Sequence, residues 1–316
     1  MRGGSGEIGT LVQEPGQALV RPAAQLVGER AVSGHPLNAT EPPVKAVELH
    51  HGAATDVGLV REVNEDSYLA APPVFVVADG MGGHEGGDVA SAIVVEEFGR
   101  LADAGYDPAR GTDVIAGTLR DCQRRISEYG AAQRARGAGG FHAGTTAVVA
   151  LLVEDHGEPK WLLANLGDSR IYRFSEGRLE QVSVDHSVVQ ELVEAGAITE
   201  DDAAVHPERH VITRALGGPD AAEADYFLLP LGSVERLVLC SDGITGMIGD
   251  DQMAEILARA DDPRDAADQL VGAALAAGGK DNATVVVVDV VGLVSEFSYD
   301  SDAQRVSLEQ KLGALP

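Results

Sequence analysis

Residues 145–183 constrain this chain more than any other stretch. Residues 145–153, 161–165, 170–174 and 179–183 each read as a strand of aliphatic, β-branched or aromatic residues. The breaks between them are as short as Asp155-His156-Gly157, Leu166-Gly167-Asp168-Ser169 and Ser175-Glu176-Gly177. Successive strands joined this tightly run antiparallel, because a parallel pair needs a crossover of about a dozen residues or more. A doubly wound parallel sheet is therefore excluded.

The remaining elements fit the same architecture. Val74-Phe75-Val76-Val77-Ala78 is a buried strand that stops at Asp79-Gly80. A helix follows over residues 87–102, with Ile93, Val94, Phe98 and Leu101 on one stripe. In a second helix Ile115, Leu119, Cys122, Ile126 and Tyr129 step by four, three, four and three, which makes Cys122 a core residue. Residues 186–195 read as a helix, 198–218 as a long surface flap without a strong period, 226–229 and 237–240 as strands, 251–260 and 265–277 as helices, and 284–291 as a final strand. Helices in pairs and strands in meanders give a layered α/β (α+β) fold with antiparallel sheets. Residues 1–47, rich in Gly, Pro and Ala, read as a disordered leader, 48–292 as one catalytic or binding core, and 293–316 as a polar tail.

Charge narrows the function. With 24 Lys and Arg against 50 Asp and Glu the formal net charge is −26, which argues against nucleic acid as a partner. No apolar run approaches the roughly 18 residues needed to span a bilayer, so no membrane role is expected. Two cysteines are too few for a disulfide framework, and no secretory signal opens the chain, so the expected location is the cytoplasm.

The informative pattern is that carboxylates gather at the ends of apolar strands. Asp79 and Asp242 each close such a run with Gly following, Asp281 stands just before the last strand, and Glu65-Asp66 stand before an early one. Each alone reads as a turn or as solvated surface. Together at one sheet edge they would repel unless a cation neutralised them. The oxygen donors suit Mg²⁺ or Mn²⁺, and no Cys or His shows tetrahedral zinc spacing.

Those residues sit in ordered motifs: Asp56-Val57-Gly58-Leu59-Val60-Arg61-Glu62-Val63-Asn64-Glu65-Asp66; Asp79-Gly80-Met81-Gly82-Gly83-His84; Gly144-Thr145-Thr146; Gly167-Asp168-Ser169-Arg170; Ser241-Asp242-Gly243; and Lys280-Asp281-Asn282-Ala283-Thr284. Over about residues 48–292 the chain resembles the metal-dependent (PPM) type 2C protein serine/threonine phosphatases in their bacterial form. The resemblance implies two antiparallel β-sheets in a sandwich flanked by pairs of helices, and two Mn²⁺ or Mg²⁺ ions bridged by Asp79. Glu65 and the Gly80 carbonyl would complete one ion, Asp242 and Asp281 the other, and Arg61 would hold the substrate phosphate. It implies hydrolysis of phosphoserine and phosphothreonine by direct attack of a water activated between the ions. The partners would be phosphorylated proteins and a counteracting serine/threonine kinase. The alternatives are a non-catalytic binding module that kept the fold, or a specialised phosphatase acting on one regulator.

Two departures from the family pattern stand out. Met81 occupies the position where animal members carry a His, and residues 139–143 lack the Asp that helps many bacterial members hold a third ion, which leaves that ion in doubt. His84 is expected to be an exposed loop residue, and Asp168 to belong to a tight turn between strands. Asp56 and Asp66 are expected either to orient the ligands or to cap local backbone. On the flap, Arg209 and Arg214 are expected to steer substrate choice, unless they only pair with neighbouring acids. Cysteine phosphatase chemistry fails because Glu128 and Gly246 stand where an Arg is needed, six residues after Cys122 and Cys240.

Overall fold

A computed structural model describes residues 18–20, 46–82, 86–138, 140–219 and 223–294. It contains strands β1 (Ala18–Val20), β2 (Ala46–Asp56), β3 (Ser67–Ala71), β4 (Val74–Ala78), β5 (Gly80–Met81), β6 (Gly144–Thr145), β7 (Ala147–Asp155), β8 (Glu158–Leu166), β9 (Arg170–Ser175), β10 (Arg178–Gln181), β11 (Asp225–Pro230), β12 (Arg236–Cys240) and β13 (Ala283–Val294). The helices are α1 (Gly87–Ala104), α2 (Gly111–Ala135), α3 (Val188–Glu194), α4 (Glu200–Ala204), α5 (Asp242–Thr245), α6 (Asp250–Arg259) and α7 (Pro263–Ala276).

One sheet has the order β1-β2-β13-β12-β9-β10 and the other β11-β8-β7-β4-β3, with every pairing antiparallel; β5 and β6 form a small ribbon of their own. Three apolar layers hold the sandwich together. Phe75 and Val77 of β4 pack with Leu237 and Leu239 of β12 between the sheets. The alternate residues Val74, Val76 and Ala78 face Ile93, Phe98, Ile115, Cys122 and Ile126 of α1 and α2. On the opposite flank Val238 and Cys240 face Met253, Leu257, Leu270 and Ala274 of α6 and α7. Strands covered on both faces need continuous apolar runs, and those are the runs the sequence shows.

Three differences from the sequence reading concern short segments. β1 lies inside the expected leader and pairs with the start of β2, and three residues are too few to show a period. Part of the flap is helical: α4 begins at a capping box in which Thr199 and Asp202 bond reciprocally. Finally, β8 and β9 are not a hairpin. They lie in different sheets, so Gly167-Asp168-Ser169 crosses from one layer to the other. The expected tail from residue 295 onward lies outside the described residues.

The topology sets the site. Ser67 of β3 pairs with Ala78 of β4, which brings Glu65 and Asp66 to the edge where Asp79 stands. Cys240 of β12 pairs with Val285 of β13, which brings Asp242 and Asp281 together at the corresponding edge of the other sheet.

Candidate active site

The backbone of Asp79 is fixed before its side chain does anything. Its N–H donates to Thr146 Oγ1 at 2.9 Å, and its carbonyl accepts from Thr146 N–H and from the Thr145 hydroxyl, each at 2.9 Å. Thr146 Oγ1 in turn bonds Ser169 Oγ at 2.7 Å, which ties the crossover to the same point. Gly167 makes this approach possible: its φ is +114°, and a Cβ there would lie 2.5 Å from Thr146 Cγ2. Gly80 is required for closeness alone, since a Cβ would lie 2.3 Å from the Gly87 carbonyl oxygen and 2.4 Å from that of Glu65.

A second lattice of bonds sets the other carboxylates. Ser241 Oγ donates to Asp66 Oδ2 at 2.7 Å and accepts from Thr284 N–H at 3.0 Å. The Thr284 hydroxyl also bonds Asp66 and lies 2.7 Å from Thr55 Oγ1. Asn282 Oδ1 accepts from the Glu65 N–H at 2.8 Å, so the residue after Asp281 places Glu65. The Glu65 carboxylate itself is bonded by the Gly87 N–H at the start of α1.

The electrostatics are one-sided. Asp79, at the floor of the cleft, has its carboxyl pushed well above the usual range by burial first and then by Asp66, Asp242, Asp168 and Asp281. Asp242 is raised by burial and by Asp281, and its side chain lies close to that of Asp79. Asp66 is pushed up to about 7 by burial, with Asp242 and Asp281 adding to it. Glu65 is raised by burial and by Asp88. Opposing them are Arg61, whose Nη2 donates to Asp281 Oδ2 at 2.7 Å, and His210, whose Nδ1 lies 3.9 Å from Asp242 Oδ2.

The structure thus brings Arg61, Glu65, Asp79, Gly80, Asp242 and Asp281 to one cleft. Among the described residues no three His, Cys, Asp or Glu side chains are drawn together tightly enough to cage an ion unaided. Asp281 is engaged by Arg61, and Asp66 by Ser241 and Thr284. The donor chemistry fits hard cations nonetheless: the donors are carboxylate and carbonyl oxygens, and Asp79 and Asp242 are buried near one another with like charges that a divalent ion can neutralise.

Several residues play parts that the sequence did not disclose. Asp168 is 8% exposed and its carboxyl is pushed up to about 7 by burial, with Asp242 and then Asp185 adding. It therefore lies within electrostatic reach of Asp79 and Asp242, carried there by the crossover between the sheets. Arg214 is a tie rather than a free cation: its Nη1 lies 3.0 Å from Asp225 Oδ1 and 3.2 Å from Nε2 of buried His186. His186 Nδ1 accepts the Gly167 N–H at 3.1 Å and Nε2 bonds Asp225 at 3.1 Å, so this cluster joins the flap to the crossover that carries Asp168. The Arg209 guanidinium donates to the His206 carbonyl of its own turn at 3.2 Å. His84 lies outside the described residues.

The sequence matches the family described as protein phosphatase 2C over residues 61–275. It is 34% identical over 252 residues to the serine/threonine phosphatase stp of Listeria monocytogenes, covering 76% of this chain and 96% of that protein. The fold is similar to that of the Mycobacterium tuberculosis serine/threonine phosphatase PstP, with a TM-score of 0.69 at 34% identity, covering 77% of this chain and 99% of that one. A structure of the catalytic domain of PstP in complex with two manganese ions is similar at a TM-score of 0.65 and 33% identity, covering 78% of this chain and 99% of that one.

Proposed function

This chain belongs to the protein phosphatase 2C family and is a metal-dependent protein serine/threonine phosphatase; from that premise we propose that its strand-end carboxylates hold two Mn²⁺ or Mg²⁺ ions and that Arg61 receives the substrate phosphate. In this reading Asp79 would serve both ions, Glu65 and the Gly80 carbonyl would hold one, and Asp242 and Asp281 the other. The observation that carries it is the gathering of Asp79 and Asp242 with Asp66, Asp168 and Asp281, buried like charges that push one another's carboxyls up and call for cations.

When bound, the ions supply a water of lowered pKa and the positive charge that stabilises in-line displacement at phosphorus. The protein supplies the orientation. Thr145 and Thr146 fix Asp79, Asn282 fixes Glu65, and Ser241 with Thr284 holds Asp66 behind the pair. Arg61 is half-exposed, paired with Asp281 and also felt by Glu65 and Asp242. A guanidinium so placed presents its planar fork to a phosphate dianion directly above the carboxylates. Met81 has no proton to give, so the residue after Asp79-Gly80 does not protonate the departing alkoxide.

The substrates are phosphoproteins, and in this reading a serine/threonine kinase phosphorylates them, with neither nucleic acid nor membrane as a partner. The cytoplasm is the proposed location, supported by Cys122 and Cys240, which are both free and buried. Among the described residues no helix is long and apolar enough to cross a membrane. The catalytic unit is proposed to span residues 48–292.

Hydrolysis of a small aryl phosphate and of a phosphothreonine peptide, with Mn²⁺ and with chelator, tests the reading. Turnover should require the metal on both substrates, and turnover that survives chelation would overturn the assignment. Arg61→Ala should raise KM for both substrates with little change in Mn²⁺ affinity.

A further inference from the structure

Among the described residues the large apolar side chains that face solvent are Leu59, Val60, Val63, Val205, Val211, Leu228 and Val291. Single exposed apolar residues need no explanation. Their distribution does: Leu59 is 70% exposed, Val60 66% and Val63 58%, and all three lie within two residues of Arg61.

The loop that carries them is held firmly. The Asn282 side-chain amide donates to the Val57 carbonyl at 2.9 Å and to the Val63 carbonyl at 3.0 Å, so one group closes both ends of the loop. Leu59 N–H donates to the Gly279 carbonyl at 2.7 Å, and Gly58 N–H to Asp56 Oδ1 at 2.8 Å. Backbone bonds on this scale hold three aliphatic side chains in water on either side of a guanidinium, in a chain whose net charge is −26. Grouped apolar exposure on a fixed loop marks a contact surface. The flap presents more of the same at the cleft, because Val211, 45% exposed, follows His210, which approaches Asp242.

We propose that Leu59, Val60 and Val63 form a docking strip for the substrate polypeptide, and that the enzyme selects phosphoserine or phosphothreonine flanked by apolar residues. The proposal rests on the reading of Arg61 as the phosphate seat. The occupant follows from continuity with that seat: a chain whose phosphate meets Arg61 must lay its neighbouring side chains along the residues beside Arg61. Apolar neighbours on the substrate gain by covering Leu59, Val60 and Val63, whereas polar neighbours would lose water there without finding donors or acceptors.

The test uses the full chain with Mn²⁺, two phosphothreonine peptides that differ only in leucine and valine against serine and asparagine beside the phosphoresidue, and an aryl phosphate. The variant carries Val60→Thr and Val63→Thr, which keep side-chain shape and add a hydroxyl. The wild type should favour the apolar peptide by about tenfold in kcat/KM, the scale expected of small apolar contacts. The variant should lose that preference and hydrolyse aryl phosphate as before. A wild type without preference, or a variant that keeps it, would overturn the docking strip while leaving the Arg61 reading intact. An equal loss on all three substrates would show that the valines serve only to hold Arg61, and would overturn it as well. Sedimentation velocity covers the remaining occupant: a wild-type dimer that the variant abolishes would assign the strip to a second copy of the chain. A wild type with no Mn²⁺-dependent aryl phosphatase activity would instead bring down the site reading, and the proposal with it.

Discussion

Strands β12 and β13 carry charge at both ends, and the two ends are built on opposite principles. At one end Arg236 meets Asp289 through Nε at 2.6 Å and Nη2 at 2.8 Å, and its Nη1 donates to the Leu257 and Ala260 carbonyls at 2.8 and 2.9 Å. Charge and hydrogen bonds are matched inside the protein. At the other end Asp242 and Asp281 face Asp79 and Asp66, with Arg61 as the paired cation and His210 Nδ1 3.9 Å from Asp242. A chain of packed strands tolerates a buried ion pair as structure, but it tolerates unmatched carboxylates only where something else is to bind.

The contrast is most exposed to Asp79→Asn. Removing one oriented hydrogen-bond donor from an active site costs about 10²–10³ in turnover, and loss of a shared ligand should cost more than the upper figure of about 10³. In chelator the same variant should melt above the wild type, because a carboxyl whose burial among like charges forces it to take up a proton is replaced by a neutral amide. A metal-free variant that melts lower would show that the cluster is a structural network and break the comparison.

Asp289→Ala probes the matched end. It leaves the buried Arg236 guanidinium unpaired and should cost about 3–5 kcal/mol of stability, read as a drop in denaturant midpoint. Turnover per folded molecule should stay close to wild type. An equal melting temperature would mean the pair contributes nothing.

Metal sharpens the distinction from the other side. Mn²⁺ at about a hundred times its Kd should stabilise the wild type by about 2.7 kcal/mol by mass action. Asp289→Ala should respond equally and Asp79→Asn should not, and a response in Asp79→Asn would place the ions elsewhere.

The smallest expected effect is pH dependence without metal. With its carboxyl pushed up to about 7, Asp66 holds in the folded state a proton that the unfolded chain has already released above about pH 4. The folded state therefore binds more protons, and stability falls as pH rises between those values. From pH 6 to 7 a single proton accounts for at most about 1.4 kcal/mol. Melts in chelator should drop over that unit, and Asp66→Asn should flatten the slope. A melting temperature that climbs instead would contradict the raised carboxyl.

Much of this was readable from the chain because strands advertise themselves by continuous apolar runs and their ends by Asp-Gly. Val74–Ala78 with Asp79, and Leu239-Cys240 with Asp242, were legible for that reason, as was the buried face of α2 through Cys122. Asp168 was misread because Gly-Asp-Ser looks the same whether it closes a hairpin or crosses between sheets. Arg214 looked free because its partners, His186 and Asp225, lie 28 and 11 residues away in sequence. The strip beside Arg61 was hidden because apolar residues in a loop ordinarily turn inward.

What the sequence determined by itself was local: periodicity marked most of the elements, short turns gave the antiparallel β7–β8 and β9–β10 pairs but not the β8–β9 crossover, and residue type limited the donors to oxygen. What the tertiary structure decided was which distant groups share space. Asn282 reaches Glu65 across 217 positions, and Ser241 reaches Asp66 across 175. Such contacts depend on sheet order and layer packing, and the carboxylate cluster owes its raised protonation to burial that exists only once two sheets have closed on one another.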